Sequence, residues 1–128
     1  MFRFVPMLIL ALAGASPVAA QDAAAGKTIF NQCRACHQVG EGAKNGVGPH
    51  LNGLFGRSSG SVEGYKYSEA NLKFAKAWDE AVFATYIKDP KGVVPGTKMA
   101  YAGLKDDKAI ADLTAYLKSF GADGKPAK

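Results

Sequence analysis

Two cysteines and a histidine stand together in this sequence, as Cys33, Cys36 and His37. Residues three positions apart lie on one face of a helical turn, so both thiols can reach one flat ligand from the same side. The C-x-x-C-H spacing is the attachment signature of c-type haem, in which the cysteines become thioethers and the histidine coordinates iron. We therefore predict one haem c, covalently bound through Cys33 and Cys36, with His37 as an iron ligand.

Three other kinds of site could use the same residues. A thioredoxin-like redox pair should lie near a βαβ pattern, and the sequence shows none. A structural zinc site needs four ligands, and the chain offers only the two cysteines, His37 and His50. A disulfide across three residues closes too short a loop to add much stability. These alternatives stay open beside the haem interpretation, which explains the whole motif.

Met99 is the candidate for the second axial ligand. The other methionines, Met1 and Met7, lie in an amino-terminal segment that we expect to be removed. Met99 ends a turn-forming stretch, residues 95–99, that cannot continue a helix. A Met/His pair fills both axial positions and leaves the iron no open site for oxygen or substrate. The sequence thus predicts an electron carrier and no enzyme; His50 is a rival ligand that we interpret as a loop residue.

The first twenty residues have the pattern of a signal peptide. Arg3 supplies the positive charge, residues 4–15 form the apolar run, and residues 18–20 are a small-residue cleavage site. The run is shorter than the roughly 20 apolar residues that span a bilayer. We expect cleavage before Gln21, leaving one domain of residues 21–128 in the periplasm; an uncleaved membrane anchor is the alternative.

The charge balance of the remaining chain is basic. Without Arg3, 15 basic residues face 11 acidic ones, a net charge of +4. The lysines are dispersed along the chain, which favours an acidic protein partner over nucleic acid. A lysine-rich surface that serves solubility alone is the other interpretation.

Helices are predicted on both sides of a long loop. The first begins in the alanine-rich segment after Gln21 and delivers Cys33 from its last turn. Residues 39–60 contain seven glycines and little periodicity, so we expect a loop that folds around the cofactor. The carbonyl of Pro49 or of a neighbour in this loop is free to accept the Nδ1 proton of His37.

Three more helices follow that loop. Each is predicted from a capping residue and an apolar stripe. The first is expected over residues 68–72, with Ser68 as its cap. The second is expected over 79–89, with Asp79 as cap and Pro90 as terminator, and the third over 106–121, with Asp106 as cap and Gly121 as stop.

The sequence resembles the class I cytochromes c, closest to the bacterial cytochrome c2 and mitochondrial cytochrome c branch. The matching blocks are, in chain order, Cys33-x-x-Cys36-His37, Gly48-Pro49-x-Leu51, Gly53-Leu54-Phe55-Gly56-Arg57, Tyr65-x-Tyr67-x-x-Ala70-Asn71, Trp78, Tyr86 with Pro90-Lys91, and Pro95-Gly96-Thr97-Lys98-Met99. The resemblance covers almost all of residues 21–128. It implies an all-α cytochrome c fold, with three to five helices and long loops around one haem, and terminal helices that cross near Gly26.

The resemblance also implies roles for further residues. Three would hydrogen-bond a buried haem propionate: Arg57, Tyr67 and Trp78. Three others would form a polar network on the methionine side: Asn71, Tyr86 and Thr97. The carbonyl of Pro49 would accept a hydrogen bond from Nδ1 of the histidine. Plain core packing is the alternative for each of them.

The resemblance implies a soluble, monomeric periplasmic carrier that moves one electron from a cytochrome bc1-type complex to a photosynthetic reaction centre or a terminal oxidase. It would touch these membrane complexes transiently through lysines around the haem edge: Lys27, Lys44, Lys91, Lys98 and Lys105. Two positions depart from the family pattern, since Gln32 stands where a lysine is common and Asp106 where a basic residue often lies. The alternatives are a haem peroxidase or ligand sensor in which Met99 dissociates, and a signalling protein without electron flow.

Overall fold

The computed structural model describes residues 21–128, so the predicted signal peptide lies outside the described residues. Five helices occur in this range: α1 Ala23–Phe30, α2 Glu69–Phe74, α3 Glu80–Lys88, α4 Pro90–Val93 and α5 Asp107–Lys118. Between residues 21 and 128 the β-structure amounts to two isolated bridges, Ser58 with Ala77 and Phe120 with Pro126. The expected all-α fold is confirmed.

Helices α1 and α5 cross where α1 has a glycine. A Cβ atom on Gly26 would lie 2.6 Å from the carbonyl carbon of Asp112 and 2.8 Å from Cβ of Tyr116. One turn later the fully buried ring of Phe30 packs 5.5 Å from the ring of Tyr116. Only glycine permits this backbone approach, which confirms the crossing implied by the resemblance.

Helices α3 and α5 lie antiparallel, with an ion pair at each end. Glu80 at the start of α3 pairs with Lys118 at the end of α5, at 2.6 Å, and Lys88 at the end of α3 pairs with Asp107 at the start of α5, also at 2.6 Å. In both helices the acidic partner stands in the first turn and the basic partner in the last. Each charge therefore also complements the dipole of its own helix.

The helices differ from the prediction in four places. Helix α2 continues to Phe74, two residues beyond its expected end. Helix α1 ends at Phe30, and successive turns deliver Cys33, whose amide donates to the carbonyl of Phe30 at 2.8 Å. Helix α4 was not predicted. Pro90 was interpreted only as the end of α3, but proline also fits the first turn of a helix, and here it begins α4. Helix α5 ends at Lys118 and not at Gly121.

The chain after α5 folds back as a hairpin of residues 119–127, which we call the C-terminal hairpin. The amide of Ala127 donates to the carbonyl of Ser119 at 3.0 Å, and that of Gly121 to the carbonyl of Lys125 at 2.8 Å. Gly124 packs against the backbone of Gly40, leaving no room for a side chain. The pairing of Phe120 in this hairpin explains why the helix stops before it.

The glycine-rich loop is confirmed, and a buried side chain organises it. Asn52 accepts a hydrogen bond from the amide of Gly40 at 2.8 Å and donates to the carbonyl of Gly40 at 2.9 Å. The amide of Leu51 donates to the carbonyl of Gln38 at 3.0 Å. These bonds fix the segment that carries Pro49.

None of the helices within residues 21–128 is long and apolar enough to cross a membrane.

Candidate haem site

One cavity brings all eleven predicted site residues together. Its lining includes Cys33, Cys36, His37, Pro49, Arg57, Tyr67, Asn71, Trp78, Tyr86, Thr97 and Met99. Helices α1, α3 and α5 add apolar side chains to the wall, and loop residues form the rest of it. His50 lines a different depression, where its Nδ1 accepts from the amide of Asn52 at 3.3 Å. This position agrees with its interpretation as a loop residue.

The imidazole of His37 is held in one orientation. Its Nδ1 donates to the carbonyl of Pro49 at 2.7 Å, the hydrogen bond that the sequence predicted. Burial lowers the pKa of His37, so the ring is neutral near pH 7 and the proton on Nδ1 leaves the lone pair of Nε2 for a metal. Gly48 lies directly against the ring, since a Cβ atom there would come within 2.7 Å of Nδ1.

Both cysteines line the cavity together with His37, and they form no disulfide with each other. Cys33 is half-buried and Cys36 is exposed. Burial raises the pKa of the Cys33 thiol, with a smaller contribution from Cys36, while the nearby Arg34 acts in the opposite direction. The amide of His37 donates to the carbonyl of Cys33 at 2.9 Å, which closes the turn that presents the three side chains together.

Met99 is held by two polar neighbours. The hydroxyl of Tyr86 donates to the sulfur at 3.2 Å, and the amide of Met99 donates to the hydroxyl oxygen of Thr97 at 3.2 Å. Burial raises the pKa of Tyr86, while a hydrogen bond with Thr97 lowers it. Asn71 lines the same cavity, and its backbone amide is used by the Ser68 cap.

Arg57, Tyr67 and Trp78 occupy another part of the wall. Arg57 donates from Nη1 to the carbonyls of His50 and Asn52, at 3.1 and 3.0 Å, and burial lowers its pKa. The hydroxyl of Tyr67 accepts from the amide of Val62 at 3.0 Å. Trp78 is buried and packs edge-on against Tyr86, with ring centres 5.0 Å apart.

Two buried polar atoms among the described residues have no hydrogen-bond partner, and both belong to residues of the cavity wall: Nε of Arg57 and Oδ1 of Asn71. Buried polar atoms without a partner are rare in folded proteins, and a bound group that supplies the partner is one explanation for them. A carboxylate is the natural partner of a guanidinium donor. An apolar cavity with two thiols, an imidazole, a thioether and a buried guanidinium therefore fits a haem.

Sequence reasoning missed one pair at the rim of the cavity. The hydroxyl of Tyr101 donates to Oε1 of Gln32 at 2.7 Å, and both residues line the cavity. Burial raises the pKa of Tyr101, with a smaller contribution from Cys33. The pair spans 69 positions of sequence, and no local pattern signals such a contact.

A sequence model of the family described as Cytochrome c matches residues 23–121, which contain every residue of this site. The chain belongs to the cytochrome c family. Cytochrome c2 of Blastochloris viridis is 54% identical over 124 residues, covering 97% of this chain and 98% of that protein. Cytochrome c-550 of Nitrobacter winogradskyi is 58% identical over 104 residues, covering 81% and 95%.

A solved structure, cytochrome cH from Methylobacterium extorquens, superimposes on this cytochrome with a TM-score of 0.71 at 44% identity, covering 77% of this chain and 98% of that one. The relatives place this cytochrome in the cytochrome c2 branch of class I. As a member of this family it binds one covalent haem c. It is an electron carrier and not an enzyme, and its partners are redox proteins.

Proposed function

We propose that this cytochrome carries single electrons on a haem that His37 and Met99 ligate axially and that Cys33 and Cys36 attach. The observation that carries the proposal is the convergence of these four side chains on one cavity, with each axial candidate held by a hydrogen bond. When bound, the haem supplies the Fe(III)/Fe(II) couple. Fixed ligands keep the coordination the same in both states, so little rearrangement accompanies each electron transfer.

The other residues of the cavity wall hold the haem and the two iron ligands in position. Arg57, Tyr67 and Trp78 bind a propionate, and the unpartnered Nε of Arg57 supports this assignment. Tyr86 and Thr97 orient Met99, and Asn71 completes the polar network on that side with its unpartnered Oδ1. Pro49 makes the imidazole of His37 more basic by accepting a hydrogen bond from its Nδ1, as partners of ligating histidines commonly do.

Residues 1–20 direct export, and the domain of residues 21–128 works in the periplasm as a soluble monomer. It accepts electrons from a cytochrome bc1-type complex and delivers them to a photosynthetic reaction centre or a terminal oxidase. The signal-peptide pattern and the similarity to proteins named cytochrome c2 support this part of the proposal.

Acidic redox partners dock on five lysines, all of which are exposed: Lys27, Lys44, Lys91, Lys98 and Lys105. Lys98 lies at the cavity itself, with its ammonium 4.9 Å above the ring of Tyr65. Exposed charges speed the encounter of oppositely charged proteins and contribute little to the lifetime of the complex. Such steering suits a carrier that must leave each partner quickly.

A redox titration with optical spectra tests the ligation. The wild-type protein should show the methionine-to-iron(III) charge-transfer band in the far red, and Met99→Ala should abolish the band and lower the reduction potential. A wild-type protein without that band, or one whose reduced form binds carbon monoxide rapidly, would contradict Met99 ligation and favour the ligand-sensing alternative.

Stopped-flow reduction by an acidic partner domain across a salt series tests the docking surface. The rate should fall steeply as ionic strength rises, because salt screens charges over roughly 10 Å at 0.1 M. Charge-neutralising substitutions at Lys91 and Lys98 should flatten this dependence, while Lys128→Gln at the carboxyl terminus serves as the control. A rate that ignores ionic strength would refute steering.

A further inference from the structure

The segments that carry His37 and Met99 meet at the cavity rim through the hydrogen bond between Tyr101 and Gln32. Gln32 directly precedes Cys33, and Tyr101 follows Met99 by two residues. The hydroxyl of Tyr101 donates to Oε1 of Gln32 at 2.7 Å. The contact therefore connects the covalently attached motif to the loop that presents the thioether.

Other hydrogen bonds hold the Met99 loop to α3 and to the segment before α2: Tyr86 donates to the sulfur of Met99, and Lys98 donates to the carbonyl of Lys66. Before Met99 the amide of Thr97 donates to the carbonyl of Val94 at 3.0 Å, which fixes the loop to the end of α4. After Met99 the chain runs without helix to Leu104, whose amide donates to the carbonyl of Ile87 at 2.8 Å. Tyr101 lies midway along this stretch, half-buried and packed against the core.

The chemistry of position 32 matters for this contact. A glutamine offers a carbonyl oxygen that accepts from a phenol. A lysine, which the family resemblance led us to expect at this position, has three donors and no acceptor. With Gln32 in place of a lysine, the surface has one positive charge fewer and the cavity rim has a hydrogen bond that a lysine could not accept.

We propose that the hydrogen bond between Gln32 and Tyr101 retains Met99 on the iron by holding its loop against the attached motif. Both act as positioning residues, since neither is an axial ligand. An incoming ligand reaches the iron only in the fraction of molecules whose Met99 loop has opened, and the apparent affinity for that ligand scales with this fraction. This inference rests on the proposed ligation by Met99.

The test is the affinity of neutral imidazole for the ferric holoprotein, followed through loss of the methionine band. Tyr101→Phe keeps the ring and removes the donor, and Gln32→Lys removes the acceptor. Each should raise the apparent affinity by about three- to tenfold, the value of one hydrogen bond at a partly exposed site. Gln32→Glu keeps an acceptor and should bind imidazole like the wild type.

Tyr65→Phe is the matched control. Its hydroxyl donates to the carbonyl of Val47 at 2.6 Å, and its ring lines the same cavity, but its bond does not join the Met99 loop to the attached motif. It should leave the affinity for imidazole unchanged. The double variant Gln32→Lys/Tyr101→Phe should equal the single variants, because each already breaks the one contact.

Two outcomes would overturn the inference, and they are distinguishable. If the wild type shows the methionine band and Met99→Ala abolishes it, yet Tyr101→Phe binds imidazole like Tyr65→Phe, the rim contact does not retain Met99 and the proposed ligation stands. If the wild type lacks the band, the ligation itself fails and the inference falls with it.

Discussion

At the scale of single residues, the site depends on a glycine that lies against the ring of His37. Gly48 donates its amide to the carbonyl of Cys36 at 2.8 Å and leaves the face of the His37 ring open. A side chain at this position would occupy the space of the ring. The hydrogen bond to Pro49 therefore orients the imidazole, and the lack of a side chain on Gly48 leaves room for the ring in that orientation.

Gly48→Ala should destabilise the holoprotein by about 1–3 kcal/mol, because the ring must shift and its bond to Pro49 weakens. Gly46→Ala is the control, since a Cβ atom there would make an ordinary contact of 3.6 Å with the carbonyl of Cys36. Denaturant unfolding of both variants measures the difference. Equal losses would show that the ring has room to move.

At the scale of elements, the C-terminal hairpin and the glycine-rich loop fix one another. Gly124 lies against Gly40, whose amide and carbonyl are both bound by Asn52. The amide of Gly53 donates to the carbonyl of Phe120 at 3.2 Å. Residues beyond the end of the family match at residue 121 therefore support the loop that carries Pro49.

Alanine substitutions at Gly124 and Gly42 separate the effect of this contact on stability from the effect of backbone strain. Gly124 and Gly42 have positive φ angles of 78° and 75°, but a Cβ atom on Gly124 would lie 2.7 Å from the amide nitrogen of Glu41, while one on Gly42 meets nothing within 4 Å. Gly42→Ala should cost about 1 kcal/mol for its left-handed backbone. Gly124→Ala should cost about 1–3 kcal/mol more and speed hydrogen exchange at Gly40. Similar stability for both variants would mean that the hairpin contributes nothing to the loop.

Asp112 links the start of α1 to α5 and gives stability a pH dependence. Its carboxylate accepts from the amide of Asp22 at 2.9 Å and pairs with Lys108. The hydrogen bond from Lys108, together with that from Asp22, lowers the pKa of Asp112. A lowered pKa in the folded state contributes stability above the unfolded value, and this contribution disappears as the pH falls through the folded value.

The stability difference between the wild type and Asp112→Asn should therefore be constant from pH 7 to about pH 5, and shrink below about pH 4. Asparagine still accepts from Asp22, so the variant removes the charge and keeps the shape. Urea unfolding at several pH values provides the comparison. A difference that persists unchanged into acid would exclude the carboxylate as its source.

Local signals in the sequence were sufficient to predict some structural elements and insufficient to predict others. Ser68, Asp79 and Asp106 cap their helices as predicted, because a capping side chain bonds amides only two or three residues away. The C-terminal end of α5 depends on a hairpin that closes later in the chain. The bonds of Asn52 to Gly40 and of Tyr101 to Gln32 depend on how distant loops meet, which no periodicity encodes.

At the scale of the whole molecule, the core and the cavity wall are largely the same residues. Of the eleven buried hydrophobic residues within positions 21–128, eight line the cavity: Phe30, Leu54, Trp78, Phe83, Tyr86, Ile87, Leu113 and Leu117. The haem therefore packs directly against the residues that form the hydrophobic core. Removing it takes packing contacts from most of that core at once.

A chain with Cys33→Ala and Cys36→Ala, produced without haem, should lack a cooperative unfolding transition and a near-ultraviolet circular dichroism signal. The holoprotein, treated identically, should show both. A sharp thermal transition in the haem-free chain would mean that the helices pack on their own.

The shared wall also constrains how this protein can evolve. A substitution at Leu113 or Leu117 alters thermal stability and the environment of the iron together, so neither trait can be selected without the other. Contacts away from the cavity, such as the two ion pairs between α3 and α5, escape this coupling. Lineages that must survive higher temperatures at an unchanged reduction potential should therefore accumulate their substitutions at the ion-paired positions between α3 and α5.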